Sequence, residues 1–203
     1  MFNKIIKLTV LCFFIATHSV FGQIKTYNGE LYTVVYSEDY EQPLQVTYHV
    51  MCPTGEISRK GMDFWKPSGW VTSDNDDYKD NVYDKGHMAP AAAFNCYDKQ
   101  TLKETFNYLN CALQHQSLNR GPWKELERFE RDLSKVFEMV KVDITIHFDS
   151  EPKFVEGGAQ IPSGFTKVIV VGNHKWSFYF DNVNLKGRDW SDFQIPNKRP
   201  IRD

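Results

Sequence analysis

Hydrophobic positions along the chain follow two periods, and the switches between them divide it into elements. Val140, Val142, Ile144, Ile146 and Phe148 alternate with Lys141, Asp143, Thr145 and His147. A period of two predicts a strand with one buried face. Residues 30–36 and 44–51, rich in Val, Thr and Tyr, predict two more strands, separated as in a hairpin by the acidic stretch 38–42 and Pro43. Residues 165–171 and 175–180 read as a second hairpin across Gly172-Asn173-His174. From Pro122 to about Phe137 the period lengthens. Trp123, Leu126, Phe129 or Glu130, Leu133 and Phe137 make one packed face, and proline suits a first helical turn. A further helix is predicted over residues 98–108, with Leu102, Phe106 and Tyr108 on one side. Pro53-Thr54-Gly55 marks a turn, and residues 58–79 a long surface loop of the kind that carries function or moves. Strands dominate, with one long helix crossing them: the class is α+β.

The chain's 203 residues suit one domain with a full core. Its start does not belong to that core. A basic segment ending at Lys7, an apolar run over residues 8–16 and the small residue Gly22 before Gln23 predict a secretory signal peptide over residues 1–22. The apolar run falls short of the roughly 20 residues a membrane span needs. Cys12 follows the bulky Leu11, which disfavours lipidation there. The expectation is a secreted or periplasmic protein, a single domain over residues 23–203, with no membrane span once the leader is removed. Loss of Lys4 and Lys7 leaves 22 basic against 26 acidic side chains, a net charge of −4. That excludes a general electrostatic attraction to nucleic acid, so any phosphate-binding surface has to be local. Cys52, Cys96 and Cys111 remain. One disulfide plus a buried thiol and three buried thiols both fit. No zinc-ligand spacing occurs, and Asp74-Asn75-Asp76-Asp77 lacks the alternation, glycine and closing glutamate of a calcium loop.

Candidate chemistry gathers in two places. His87 follows Gly86, which lets the backbone turn and present the ring, and an imidazole that titrates at about pH 6.5 serves as a base near neutrality. Read alone, it could equally be a loop histidine bonded to a carbonyl. Asn119 precedes the helix opened by Pro122, where asparagine is commonly a cap. Its amide oxygen is also a hard, neutral donor suited to Mg²⁺ or Mn²⁺. Glu127 and Arg131 lie one helical turn apart. They could form an ion pair worth about 0.2–0.5 kcal/mol, or face a metal's water and a phosphate.

Asp84-Lys85-Gly86-His87, then Thr105-Phe106-Asn107-Tyr108-Leu109-Asn110, Gln114, Leu118-Asn119-Arg120-Gly121-Pro122-Trp123 and Leu126-Glu127, resemble in order and spacing the DNA/RNA non-specific endonucleases. The resemblance runs from about Tyr48 to Phe180 and includes Ile161-Pro162-Ser163. It implies a ββα-metal (His-Me finger) fold, an antiparallel sheet core with a long helix carrying metal-site residues. It further implies His87 as general base and Asn119 as direct ligand of one Mg²⁺ or Mn²⁺. Glu127 would orient the metal's waters, Arg59, Lys85 and Arg131 would stabilise the phosphate, and Asn110 would support the site. The products would carry 5′-phosphate ends, the substrates would be both DNA and RNA, and a homodimer is allowed. Two departures stand out. Lys85 replaces the family's arginine and loses its planar bidentate grip on phosphate, so Lys85→Arg is expected to raise activity. The chain also stops at Asp203, before the terminal helix of larger members.

Two other readings fit the same residues. A binding homologue with weak or no catalysis is favoured by Lys85 and the acidic charge and opposed by intact His87, Asn119 and Glu127. An antibacterial nuclease effector shares the chemistry but would require an immunity protein.

Overall fold

The computed structural model describes residues 23–196 apart from Pro53 and Glu56. The predicted leader 1–22 therefore lies outside the described residues, as does Pro53 of the predicted turn. The strands are β1 (Ile24–Asn28), β2 (Tyr32–Ser37), β3 (Gln42–Val50), β4 (Tyr83–His87), β5 (Cys111–His115), β6 (Val140–His147), β7 (Gly164–Val171), β8 (His174–Asp181) and β9 (Gln194–Ile195). The helices are α1 (Lys99–Lys103), α2 (Gln116–Leu118) and α3 (Lys124–Ser134). Seven strands form one antiparallel sheet in the order β1-β2-β3-β6-β7-β8-β9, while β4 and β5 pair as a separate ribbon. Among the described residues no helix is long and apolar enough to cross a membrane.

The period-two pattern delivers what it predicts. Val140, Val142, Ile144 and Ile146 are buried and the residues between them half-buried. Their neighbours on the same face are Val46, Tyr48 and Val50 of β3 and Phe165, Ile169 and Val171 of β7. The 165–180 hairpin forms with a two-residue turn, since His174 already pairs with Val171 and Gly172 takes a positive φ of 53°. Pro43 does not separate β2 from β3. It lies inside β3 opposite Tyr36, where the register slips by one residue, and a bulge tolerates the missing N–H.

The helix predicted over 98–108 is cut short because side chains and a crossing loop take its hydrogen bonds. The Trp65 N–H donates to the Phe106 carbonyl, the Tyr108 N–H donates to the Trp65 carbonyl, and Asn110 Nδ2 donates to the Thr105 carbonyl. The Asn107 side chain accepts from the Leu109 N–H. Only one α-turn and two 3₁₀ turns survive. The long helix is also shorter than predicted. Residues 119–123 form a wider turn, non-helical at Gly121, and Val136 beyond the helix is 76 % exposed. Of the two cysteine arrangements, the structure has the single bridge, Cys52–Cys96, with Cys111 a buried free thiol. The bridge holds the end of β3 to the segment following His87.

α3 lies against the sheet through Leu126 and Glu130. Of the two residues that could complete the packed face, the buried one is the charged one. Glu130 accepts from Lys167 Nζ at 2.8 Å, and both side chains are fully buried. The Tyr48 hydroxyl donates to its other oxygen at 2.7 Å. The Lys167 ammonium sits 3.9 Å from the Trp123 ring centroid, and that ring packs on Phe165 and Phe180. Removing one member strands a charge in the core. Lys167→Met should therefore cost about 3–5 kcal/mol in denaturant unfolding, and Glu130→Gln combined with Lys167→Met should recover most of the loss. Equal costs for single and double variants would show that the pair does not act as a unit.

Candidate active site

A cleft of about 520 Å³ opens between the β4–β5 ribbon and α3. Arg59, Lys85, His87, Asn119, Glu127 and Arg131 line it together, along with Arg120, Lys124 and residues 90–92. β4 supplies Lys85 and His87, the wide turn after α2 supplies Asn119, and α3 supplies Glu127 and Arg131. Asn110 is buried outside the cleft. Its amide donates to the Ala89 and Thr105 carbonyls and accepts from the Ala89 N–H, which clamps the chain leaving His87.

Gly86 has a different reason from the turn expected of it. It sits within β4, where a Cβ would come 2.6 Å from both Cβ and Oε1 of Gln114. Glycine is needed there for close approach of the two strands. The His87 ring lies between Phe64 (4.7 Å) and Phe106 (4.8 Å, edge-on). Burial, with Arg59 nearby, pushes its pKa down to about 3. Its Nε2 is buried without a hydrogen-bond partner among the described residues. The imidazole is accordingly neutral at physiological pH.

Asp84, which was not among the expected site residues, organises the opposite wall. Its Oδ2 accepts from Asn119 Nδ2 at 2.9 Å, while Arg120 clamps the carboxylate from Nε (2.8 Å) and Nη2 (2.6 Å). With its nitrogen occupied by Asp84, the Asn119 amide oxygen has no hydrogen-bond partner among the described residues. No ion pair joins Glu127 to Arg131 among the described residues; Arg131 Nη1 instead donates to the Glu127 backbone carbonyl at 2.9 Å. Burial pushes the Glu127 carboxyl up to about 7, against the opposing pull of Lys167 and Arg131. Lys85 borders the cleft, but its ammonium is engaged elsewhere. It hydrogen-bonds Asn75, approaches Asp63 at 3.5 Å, and lies over the Phe64 (5.6 Å) and Tyr108 (5.4 Å) rings. The long loop predicted over 58–79 supplies three of these four partners.

Among the described residues no group of three or more His, Cys, Asp or Glu could hold a metal. What the cleft offers is one free amide oxygen, Asn119, and one carboxylate, Glu127. That donor set is too sparse for zinc, and it suits a hard divalent cation that keeps most of its own water.

The sequence matches the model of the DNA/RNA non-specific endonuclease family over residues 13–200. It is 34% identical to the mitochondrial nuclease EXOG of Danio rerio over 113 residues, 53% of this chain and 32% of that protein. To a nuclease of Serratia marcescens it is 32% identical over 124 residues, 55% of this chain and 45% of the relative. The aligned part thus spans less than half the length of either relative. A solved structure of an EndoG/EndoGI complex superposes with a TM-score of 0.74 at 26% identity, covering 86% of this chain and 81% of that one. With the match running through both halves of the cleft, the chain belongs to the DNA/RNA non-specific endonuclease family.

Proposed function

We propose that this protein is an exported, divalent-metal-dependent endonuclease that hydrolyses phosphodiester bonds of DNA and RNA and leaves 5′-phosphate ends. One observation carries the reading. A single cleft gathers a neutral imidazole, two hard oxygen donors and three arginines. The basic start, short apolar run and Gly22 support export.

In this reading the neutral His87 imidazole accepts the proton of the attacking water. Phe64 and Phe106 hold the ring in place and exclude competing solvent. Asn119, steadied by Asp84, would hold Mg²⁺ or Mn²⁺, with Glu127 orienting its waters; the bound cation would supply Lewis-acid stabilisation of phosphate charge. Arg59 and Arg131 neutralise the non-bridging oxygens. Contacts to phosphate carry no base information, so both DNA and RNA are accepted. Lys85 steadies the aromatic wall behind His87 rather than gripping phosphate, and Asn110 positions the strand end.

Plasmid DNA and a folded RNA assayed with wild type and His87→Ala, with Mg²⁺ supplied or chelated, test the proposal. His87→Ala should lower kcat by about 10²–10⁴ with little change in KM, and EDTA should abolish cleavage of both substrates. Cleavage that persists in EDTA would end the metal-dependent reading. Lys85→Arg should bring no gain in kcat/KM, because the larger head group must fit between Phe64 and Tyr108; a gain of tenfold would place position 85 on the phosphate instead.

The pH dependence has a defined sign. His87 binds its proton more weakly in the folded protein than in the unfolded chain, where histidine titrates at about pH 6.5. Its contribution to stability is therefore complete above about 6.5 and is lost as pH falls toward about 3. By NMR the His87 ring should show no titration between pH 5 and 8. A midpoint close to the unperturbed value would contradict the buried, neutral base.

A further inference from the structure

A second cleft of about 500 Å³ adjoins the first and shares Arg120 with it. Its other walls are residues 115–117 and Gly121 on one side and Asn184, Lys186 and Gly187 on the other. No carboxylate lines it. Two further clefts do carry carboxylates, Glu30 with Glu104 in one and Asp149 with Asp181 in the other. In an acidic chain that contrast matters, since each of those two sets two carboxylates against one lysine, Lys103 or Lys153, while this one carries only the cations Arg120 and Lys186.

The donors of this cleft are held in place. The Leu185 N–H donates to Ser117 Oγ at 2.8 Å, which docks the 184–187 loop on the α2 turn. The Lys186 N–H donates to Asn184 Oδ1 at 3.1 Å, and Gly187 takes a positive φ of 79° to close the turn. Lys186 is exposed and its ammonium has no ion-pair partner among the described residues. A guanidinium carries five N–H donors in a planar fork, and Asp84 occupies only two of those on Arg120. The rest remain available on a side chain that Asp84 already orients.

We propose that this second cleft is a phosphate subsite, taking the backbone of the nucleic-acid strand beyond the scissile bond. It rests on the nuclease reading of the first cleft. The shared Arg120 makes the two continuous, and Lys186 with the Asn184 and Gln116 side-chain amides supplies the remaining contacts. Such a site explains how a chain of net negative charge holds a polyanion: attraction is confined to one track.

Binding of a labelled dinucleotide and a labelled octanucleotide to His87→Ala protein tests the subsite without requiring cleavage. The octanucleotide should bind more tightly, and Lys186→Glu should remove about tenfold of that advantage. Asn184→Asp, which keeps the acceptor for the Lys186 N–H but adds a negative charge, should act in the same direction. The slope of log Kd against log salt should fall by about 0.7 for each phosphate that the variant no longer neutralises. Octanucleotide affinity and salt slope unchanged in both variants would overturn the subsite. Inability of the wild type to cleave, with these binding changes intact, would instead sink the nuclease reading and leave the subsite supported.

Discussion

The Glu130 carboxylate is the point at which the site helix is held to the sheet. It lies on the inward face of α3, where an unpaired charge would be prohibitive. Lys167 from β7 and Tyr48 from β3 meet it there, and the lysine also rests on Trp123 at the helix entrance. Such a pair contributes little net stability over apolar residues of the same volume. What it imposes is one rotation of α3. Glu127 lies three residues before the anchor and Arg131 one after it, so the same rotation turns both toward the cleft.

The opposite wall depends on neutral and anionic groups placed with equal care. Asp84 binds Asn119 and Arg120 together, and so couples the ribbon to the turn before α3. The side-chain amides of Gln42 and Asn182 fix β5 to the rest of the protein, through the N–H groups of Leu113 and His115. The two halves of the cleft are therefore set by separate devices, a buried ion pair for the helix and side-chain amides for the ribbon. Burial in its aromatic seat, with Arg59 nearby, disfavours the protonated form of His87.

Lys85 lines the cleft, yet its ammonium already has partners. In the linear motif it occupies the place of a phosphate-binding arginine. In three dimensions Asn75, Asp63, Phe64 and Tyr108 surround its ammonium, and three of these come from the long loop. A lysine head is a compact point charge that serves these partners singly, where a guanidinium would present a planar fork.

The α+β class, the 165–180 hairpin, the alternating strand over 140–148 and the helix after Pro122 were all legible in the sequence, because each is set by local periodicity and turn chemistry. So, through the resemblance, were Arg59, Lys85, His87, Asn119, Glu127 and Arg131 as neighbours, though Asn110 lies outside the cleft and Arg120 and Lys124 join it unannounced. Other features needed the tertiary structure. The β4–β5 ribbon is short and lacks alternation, since β5 is buried on both faces and β4 is polar, so no period marks it. The 98–108 helix failed because the neighbouring Asn107 and Asn110 side chains and, from about forty residues upstream, the Trp65 backbone took its hydrogen-bonding groups. Glu130, ambiguous against Phe129 along the chain, became the anchor only when folding brought Lys167 from 37 residues away. Periodicity reports which face is buried; which charge a buried partner neutralises, and which motif residue reaches the cleft, depend on contacts that exist only once the sheet and helix are assembled.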